Sequence, residues 1–322
     1  LVTTPTTTKN KSWERTPGRI GNKVFAGLST AAASLILCTL AAVAIFLLLR
    51  AWPAISDPSL RFKMMGSAEE VTIWKFTAPQ IFGTILAAVL ALLLSVPVAV
   101  GVALFISHYA PPRISQVLGY LVDLLAAVPS VIYGLWGAIW LIPILMPLYD
   151  FLGKYFDWFP LFAGTVSPTG RVLASAVVIL AVMILPIITS VSREVFLQTP
   201  RLHEEAALAL GATKWEMIKM AVLPFGRSGI VSASMLGLGR ALGETMAVVM
   251  VLSVGSNISW HILEAGQHST IAANIALQFP ESTGINSSAL IATGLALFAI
   301  TLIVNSIARW IVSRRAAFSG AN

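Results

Sequence analysis

Residues 81–106 read IFGTILAAVLALLLSVPVAVGVALFI, without one charged side chain. As a helix this run rises about 39 Å at 1.5 Å per residue, enough to cross a hydrocarbon core of about 30 Å. It is apolar on every side, so no face is suited to water, and a helix of that kind belongs in lipid or in a large core. Pro97 sits inside it, which membranes tolerate because neighbouring helices satisfy the freed carbonyl. Five further segments read the same way: 29–49, 117–141, 172–191 with Pro186, 229–254 and 288–312. The expected fold is therefore all-α, a polytopic membrane protein with six transmembrane helices.

Composition agrees. Of 322 residues 57% are hydrophobic and 11% charged, against about a quarter charged in an ordinary soluble domain. The net charge of +7 has no basic stripe interleaved with aromatics that would point to nucleic acid. Its distribution points to topology. Fourteen Lys and Arg residues fall in the N-terminal tail, at Arg113, in the loop from Arg193 to Arg227 and in the C-terminal tail, and six fall on the other side. The positive-inside rule places both termini and that loop in the cytoplasm. The first apolar segment is too long for a signal-peptide core, and no small-residue cleavage site follows it. Cys38 is the single cysteine, mid-span, so neither a disulfide framework nor a lipoprotein site is expected. His108, His203, His261 and His268 lack metal-ligand spacing, and no metal site is expected. Residues 149–171 gather Tyr155, Trp158, Phe159 and Phe162 as an interfacial belt, and 271–279 read as a short helix in the last external loop. Asp123 is expected to cap or pair near the start of the third span.

The loop 192–227 holds EEAALALGATKWEMIKMAVLP from Glu204 to Pro224. It reads as a short helix opened by Thr199 or Pro200, a stop at Gly211 in the left-handed conformation glycine favours, and a second short helix. Such a pair suits a groove on another protein. The spacing Glu-Ala-Ala, three residues, Gly, nine residues, then Ile-x-Leu-Pro resembles the coupling loop of ABC importer permeases. Glu205, Ala206, Ala207, Gly211, Leu223 and Pro224 fall on the motif, with Glu204 preceding it, and Ala221 stands where the family usually has Ile. The resemblance implies a type I ABC importer permease fold over 25–315, flanked by flexible tails at 1–24 and 316–322. It also implies that this loop docks on a separate ATP-binding subunit.

The fifth span contains GLGRALGETMA, from Gly237 to Ala247. A charge at the middle of a membrane helix costs about 2.5–3.5 kcal/mol on insertion scales and needs a reason. Arg240 and Glu244, four apart, would share a helical face, so a structural ion pair is one reading. The other is an oxyanion site, in which the Arg240 guanidinium takes the anion bidentately and Glu244 weakens the grip. Gly239 and Gly243 would let a second helix approach closely. Residues 128–137, VPSVIYGLWG, place Pro129, Ser130 and Tyr133 at a helix break. Both stretches resemble phosphate ABC permeases of the PstC type, which implies a substrate path through Arg240, Glu244, Thr245, Ser130 and Tyr133. No Gly-x-x-x-x-Gly-Lys-Ser/Thr loop occurs, so the chain is expected to be non-catalytic and to bind no cofactor, with ATP and Mg on partner subunits. The implied assembly has a homologous second permease, two ATP-binding subunits and an external phosphate-binding protein, in the cytoplasmic membrane. Molybdate or sulfate are the alternative cargoes, an ATP-independent secondary transporter the alternative class. A lipid-modifying membrane enzyme would show an interfacial His, Asp or Ser constellation, and none is visible.

Overall fold

The computed structural model describes residues 19–63 and 70–316. The tails expected at 1–24 and 316–322 lie outside the described residues up to 18 and from 317. The chain divides into two compact units, 1–49 and 50–322. The described residues of the first are helix, the leading part of α1 (Arg19–Ser56). Two of its hydroxyls are satisfied within the helix, Thr30 and Thr39 donating to the carbonyls of Ala26 and Leu35 at 2.8 and 2.9 Å, as suits an apolar surrounding.

In the second unit, Ala51 and Ala54 of α1 are buried in a cluster with Phe62 and Val71. Those two face each other across the small antiparallel pair β1 (Phe62–Lys63) and β2 (Glu70–Val71). Helix α2 (Ile73–Leu104) continues as a π turn through Phe105–Tyr109. Then come α3 (Pro112–Ala126), α4 (Ser130–Trp136), a π turn, and α5 (Ile142–Tyr155). After a loop follow α6 (Leu173–Leu197), α7 (Arg201–Ala209), α8 (Lys214–Met217), a π turn and α9 (Leu223–Leu242). The chain closes with α10 (Met246–Val251), α11 (Ile271–Gln278) and α12 (Ile285–Ala316). The short helix expected over 271–279 is α11.

Six segments among the described residues are long and apolar enough to cross a membrane: Gly21–Ser56, Ile73–Tyr109, Ser130–Tyr155, Leu173–Leu197, Lys214–Leu242 and Ile285–Trp310. The third corrects the expected 117–141. Pro129 lacks an amide hydrogen and forces its predecessor out of the helical region, so the helix stops at Ala126 and restarts at Ser130. The apolar run on both sides of that proline belongs to two helices, and the crossing extends on to Tyr155. The belt residues expected as loop therefore begin inside α5.

Helix α6 is the centre of the bundle. Ala87, Ala88, Ala91 and Ala99 of α2 are buried in one cluster with Ile179, Leu180, Met183, Ile184 and Ile188 of α6. Small residues on one face let the backbones close in where lipid supplies no hydrophobic drive. Thr189 donates to the carbonyl of Ala99 at 3.4 Å, and Asp123 of α3 accepts from Ser190 at 2.5 Å, the pairing expected for it. On the other flank a Cβ on Gly237 of α9 would stand 2.8 Å from Ile188.

The loops 156–172 and 252–270 are knitted by backbone bonds. Ile262 donates to Leu161, Ala174 to Ile262, Ser167 to Leu263 and Ser253 to Arg171, each at 3.0 Å. Irregular backbone at the edge of a bundle needs such partners. His268, buried here, has Nε2 2.6 Å from the carbonyl of Ser259, and burial pushes its imidazole pKa below the ordinary value. The loop seats on α2, where the amide of Ile271 donates to Thr84 at 3.0 Å and a Cβ on Gly83 would collide with the carbonyl oxygen of Ser269. Backbone cannot yield to such a contact. Gly83→Val is expected to cost about 3 kcal/mol or more and to lower the unfolding temperature in detergent. Gly101→Val on the same helix, with nothing within 4 Å of the added carbon, is the control, and equal behaviour of the two variants would refute the close packing.

Candidate functional site

Two places gather the functional side chains. The first is the loop between α6 and α9. Pro200 stands at the N-terminal boundary of α7, and Gly211 ends that helix with φ +86°, its amide donating to Leu208 at 3.0 Å. Thr213 then caps α8 reciprocally with Glu216: the Thr213 amide and hydroxyl donate to the carboxylate at 2.8 and 2.7 Å, and the Glu216 amide donates to the Thr213 hydroxyl at 3.3 Å. The Thr-x-x-Glu spacing of a capping box carried that signal in the sequence. Ala207 and Leu223 pack against Phe196, Ile218 and Val222 together with Ala103 and Leu104 of α2. A side chain larger than alanine at 207 would lift the loop off its base. Pro224 is the second residue of α9 and follows directly on the π turn Ile218–Val222.

The outer face is bare. Glu205 and Ala206 are exposed, and Leu202 and Leu210 are 73% and 89% exposed. Glu204 turns inward, its Oε1 3.5 Å from Nε2 of His108 at the end of the second span. Lys214 places its Nζ 4.9 Å over the ring of Tyr109. Neither contact had a sequence signal, since the partners lie about a hundred positions apart.

The second place is the pair of helix breaks, 127–129 and 243–245. Tyr133 reaches back from α4 to donate its hydroxyl hydrogen to the carbonyl of Leu125 at 2.9 Å. Arg240 donates through Nη1 to the next carbonyl, Ala126, at 3.3 Å. Both thus meet the C-terminal end of α3, where unpaired carbonyls favour cations. Across the bundle α10 lies against α4 so closely that a Cβ on Gly134 would be 2.7 Å from Cα of Ala247. Ser130, half-buried, opens α4, and the Thr245 hydroxyl donates to Gly243 at 3.2 Å in the second break.

The shared helical face expected of Arg240 and Glu244 is corrected, and the structural ion pair, one of the two readings, does not form. Helix α9 ends at Leu242, so the two residues do not ride one helix face. Glu244, 8% exposed, instead accepts from the amide of Ala247 at 3.1 Å and caps α10. The ion pairs among the described residues are His108–Glu204, Arg193–Glu194 and His261–Glu264. Arg240 belongs to none of them. Among the described residues of this chain no helix packs on Gly239 or Gly243: nothing lies near a Cβ on Gly239, and one on Gly243 finds only the carbonyl of Gly239 at 3.7 Å.

Arg240 faces open space. A cavity of about 650 Å³ lies between α9 and α12, lined by Ser232, Gly239, Arg240, Asn305 and Arg309 among others. Asn305 and Arg309 were not expected there, since in sequence Arg309 counted only towards the charge of the tail. The Ser232 hydroxyl is spent on the carbonyl of Ser228 at 2.9 Å, and the two guanidinium groups with the Asn305 amide are the donors that can hold an oxyanion by hydrogen bonds to its oxygens. Nothing here resembles a catalytic constellation, and no cluster of metal-ligating side chains occurs among the described residues.

Residues 95–317 match the family model described as binding-protein-dependent transport system inner membrane component. The chain is 46% identical over 300 residues to a Mycobacterium tuberculosis protein named phosphate transport system permease protein PstC 2, covering 91% of this chain and 92% of that one. It is 38% identical over 304 residues to the phosphate transport system permease protein PstC of Mesorhizobium japonicum, covering 92% of each. Among solved structures, a bacterial ABC transporter involved in the import of the acidic polysaccharide alginate aligns with a TM-score of 0.54 at 15% identity, over 90% of this chain and 98% of that one. That likeness is one of fold.

Proposed function

Because the chain belongs to the binding-protein-dependent transport system inner membrane components, among permeases of the PstC type, we propose that it carries inorganic phosphate across the cytoplasmic membrane. It is a multi-pass ABC importer permease subunit. In this reading the loop 192–227 faces the cytoplasm and docks on ATP-binding subunits that hold ATP and Mg, an external binding protein delivers phosphate, and a homologous permease completes the path. Both termini are then cytoplasmic.

The observation that supports phosphate best is Arg240. Its guanidinium lines the cavity, spends one N–H on the Ala126 carbonyl and has no carboxylate partner among the described residues. Arginine stays protonated at any working pH and presents a donor fork that matches an oxyanion. Leaving such a cation unneutralised inside a membrane is costly unless water or substrate reaches it. Glu244, held by the Ala247 amide, keeps the neighbourhood from becoming a permanent anion trap.

The test is uptake by proteoliposomes containing the whole complex. Labelled phosphate should enter only with ATP inside and binding protein outside. Uptake without ATP would overturn the ABC assignment, and undiminished phosphate uptake in excess sulfate or molybdate would exclude those cargoes. ATP-driven uptake of sulfate or molybdate with none of phosphate would replace the substrate.

A further inference from the structure

The contact between the coupling loop and the second span is built with more care than a surface ion pair. His108 and Glu204 have side chains only 8% and 23% exposed. The imidazole is held from behind, its Nδ1 2.7 Å from the Ser107 hydroxyl. A bare Nε2 lone pair would repel the facing carboxylate, so Nε2 carries its hydrogen towards Glu204. A π turn over Phe105–Tyr109 brings this about. One extra residue in the turn rotates the succeeding side chains by about 100°, and the turn is fixed by Ser115, which donates to the carbonyl of Ile106 at 2.7 Å. The same turn sets Tyr109 under Lys214. The end of the second span therefore grips both helices of the loop, α7 through Glu204 and α8 through Lys214, over an apolar base of Ala103, Leu104, Phe196, Met217, Ile218 and Val222.

We propose that His108 and Glu204, flanked by Tyr109 and Lys214, form a brace through which movement of the loop drives the second span, with His108 as the positioning residue. The proposal rests on the reading of 192–227 as the coupling loop. The loop is continuous in chain with α6 and α9 and reaches α2 only through side chains. An apolar base alone would let α7 slide, because dispersion contacts are non-directional. A half-buried polar contact between His108 and Glu204, with the imidazole held in orientation by Ser107, fixes register. The second span carries Gly83 and Thr84, which seat the α10–α11 loop near its other end, so a push at His108 reaches the opposite face of the bundle along one helix.

The experiment uses the complete complex in proteoliposomes and reads ATP hydrolysed per phosphate taken up. His108→Ala is expected to raise that ratio at least about fivefold with complex recovery unchanged. His108→Gln, which keeps an N–H towards Glu204, is expected to bring the ratio to within about twofold of the unaltered complex. A purely structural role would lower recovery and uptake together and leave the ratio constant. A constant ratio in His108→Ala, or equal loss in His108→Gln, overturns the brace. Should His108→Ala be recovered poorly, the charge-exchanged double variant His108→Glu with Glu204→Lys must restore the ratio, and its failure to do so also overturns the brace. If the unaltered complex takes up no phosphate, the substrate reading fails separately. The brace is then read from ATP hydrolysis alone, which must stop responding to binding protein in His108→Ala and still respond in His108→Gln.

Discussion

Arg240→Gln is expected to lower phosphate uptake by about tenfold to a hundredfold while the complex still assembles. A hydrogen bond to a charged group contributes about 1.5–3 kcal/mol, and each 1.4 kcal/mol is a factor of ten. The substitution removes the charge and the fork, and because the glutamine amide ends two bonds short of Nη1 it also gives up the bond to the Ala126 carbonyl, so recovery of the complex is read beside uptake. Arg240→Lys should fall between the two, because an ammonium is a point charge without the planar fork. The measurement is initial uptake at fixed ATP, together with the amount of complex recovered. Had Arg240 been neutralised by Glu244, loss of the charge would have left a buried carboxylate unpaired, and the outcome would have been misfolding. With Glu244 bonded to the Ala247 amide, that route is closed. Unchanged uptake by a well-recovered variant would reduce Arg240 to a tie on the end of α3.

The second large effect belongs to Leu210→Asp. Leu210 stands at the turn between α7 and α8, 89% exposed, and Gly211 beside it has the positive φ that turns the chain. An apolar side chain so presented has nothing to lose in the isolated subunit and much to gain in a cleft. Central interface residues contribute about 2 kcal/mol or more, and a carboxylate in the same place adds its own desolvation cost. Association with the ATP-binding subunit should weaken at least about thirtyfold. The permease itself should accumulate normally and unfold at its usual temperature. Co-purification at matched expression reads the effect, and full recovery of the ATP-binding subunit with the variant would place the docking surface elsewhere.

The bundle was legible where a single physical rule decided. Apolar length gave the spans at 81–106, 172–191 and 288–312, because lipid leaves a chain few ways to satisfy its backbone. The loop motif gave helix, glycine turn and helix, since Gly211 is one of the few residues that adopts its conformation without strain. Where two rules compete, length alone misleads. Pro129 reads as a break, yet the apolar run across it reads as one crossing, and the structure divides it at Ala127. Spacing alone also fails at Arg240 and Glu244: a four-residue separation implies a shared face only if the helix continues, and it stops at Leu242. The cavity partners Asn305 and Arg309 and the His108–Glu204 contact arise from packing between distant segments. No local pattern encodes them.

The knitted loops impose an order on biosynthesis. Leu161, Ser167 and Arg171 find their backbone partners in Ile262, Leu263 and Ser253, residues made roughly a hundred positions later, after α6 and α9 have been synthesised. Until the ribosome has passed residue 263, the earlier loop has only water to satisfy those groups. This cap therefore closes only after α6 and α9 have been made, since its pairings are long-range and such contacts form late. The helices beneath it must already stand in register when it does.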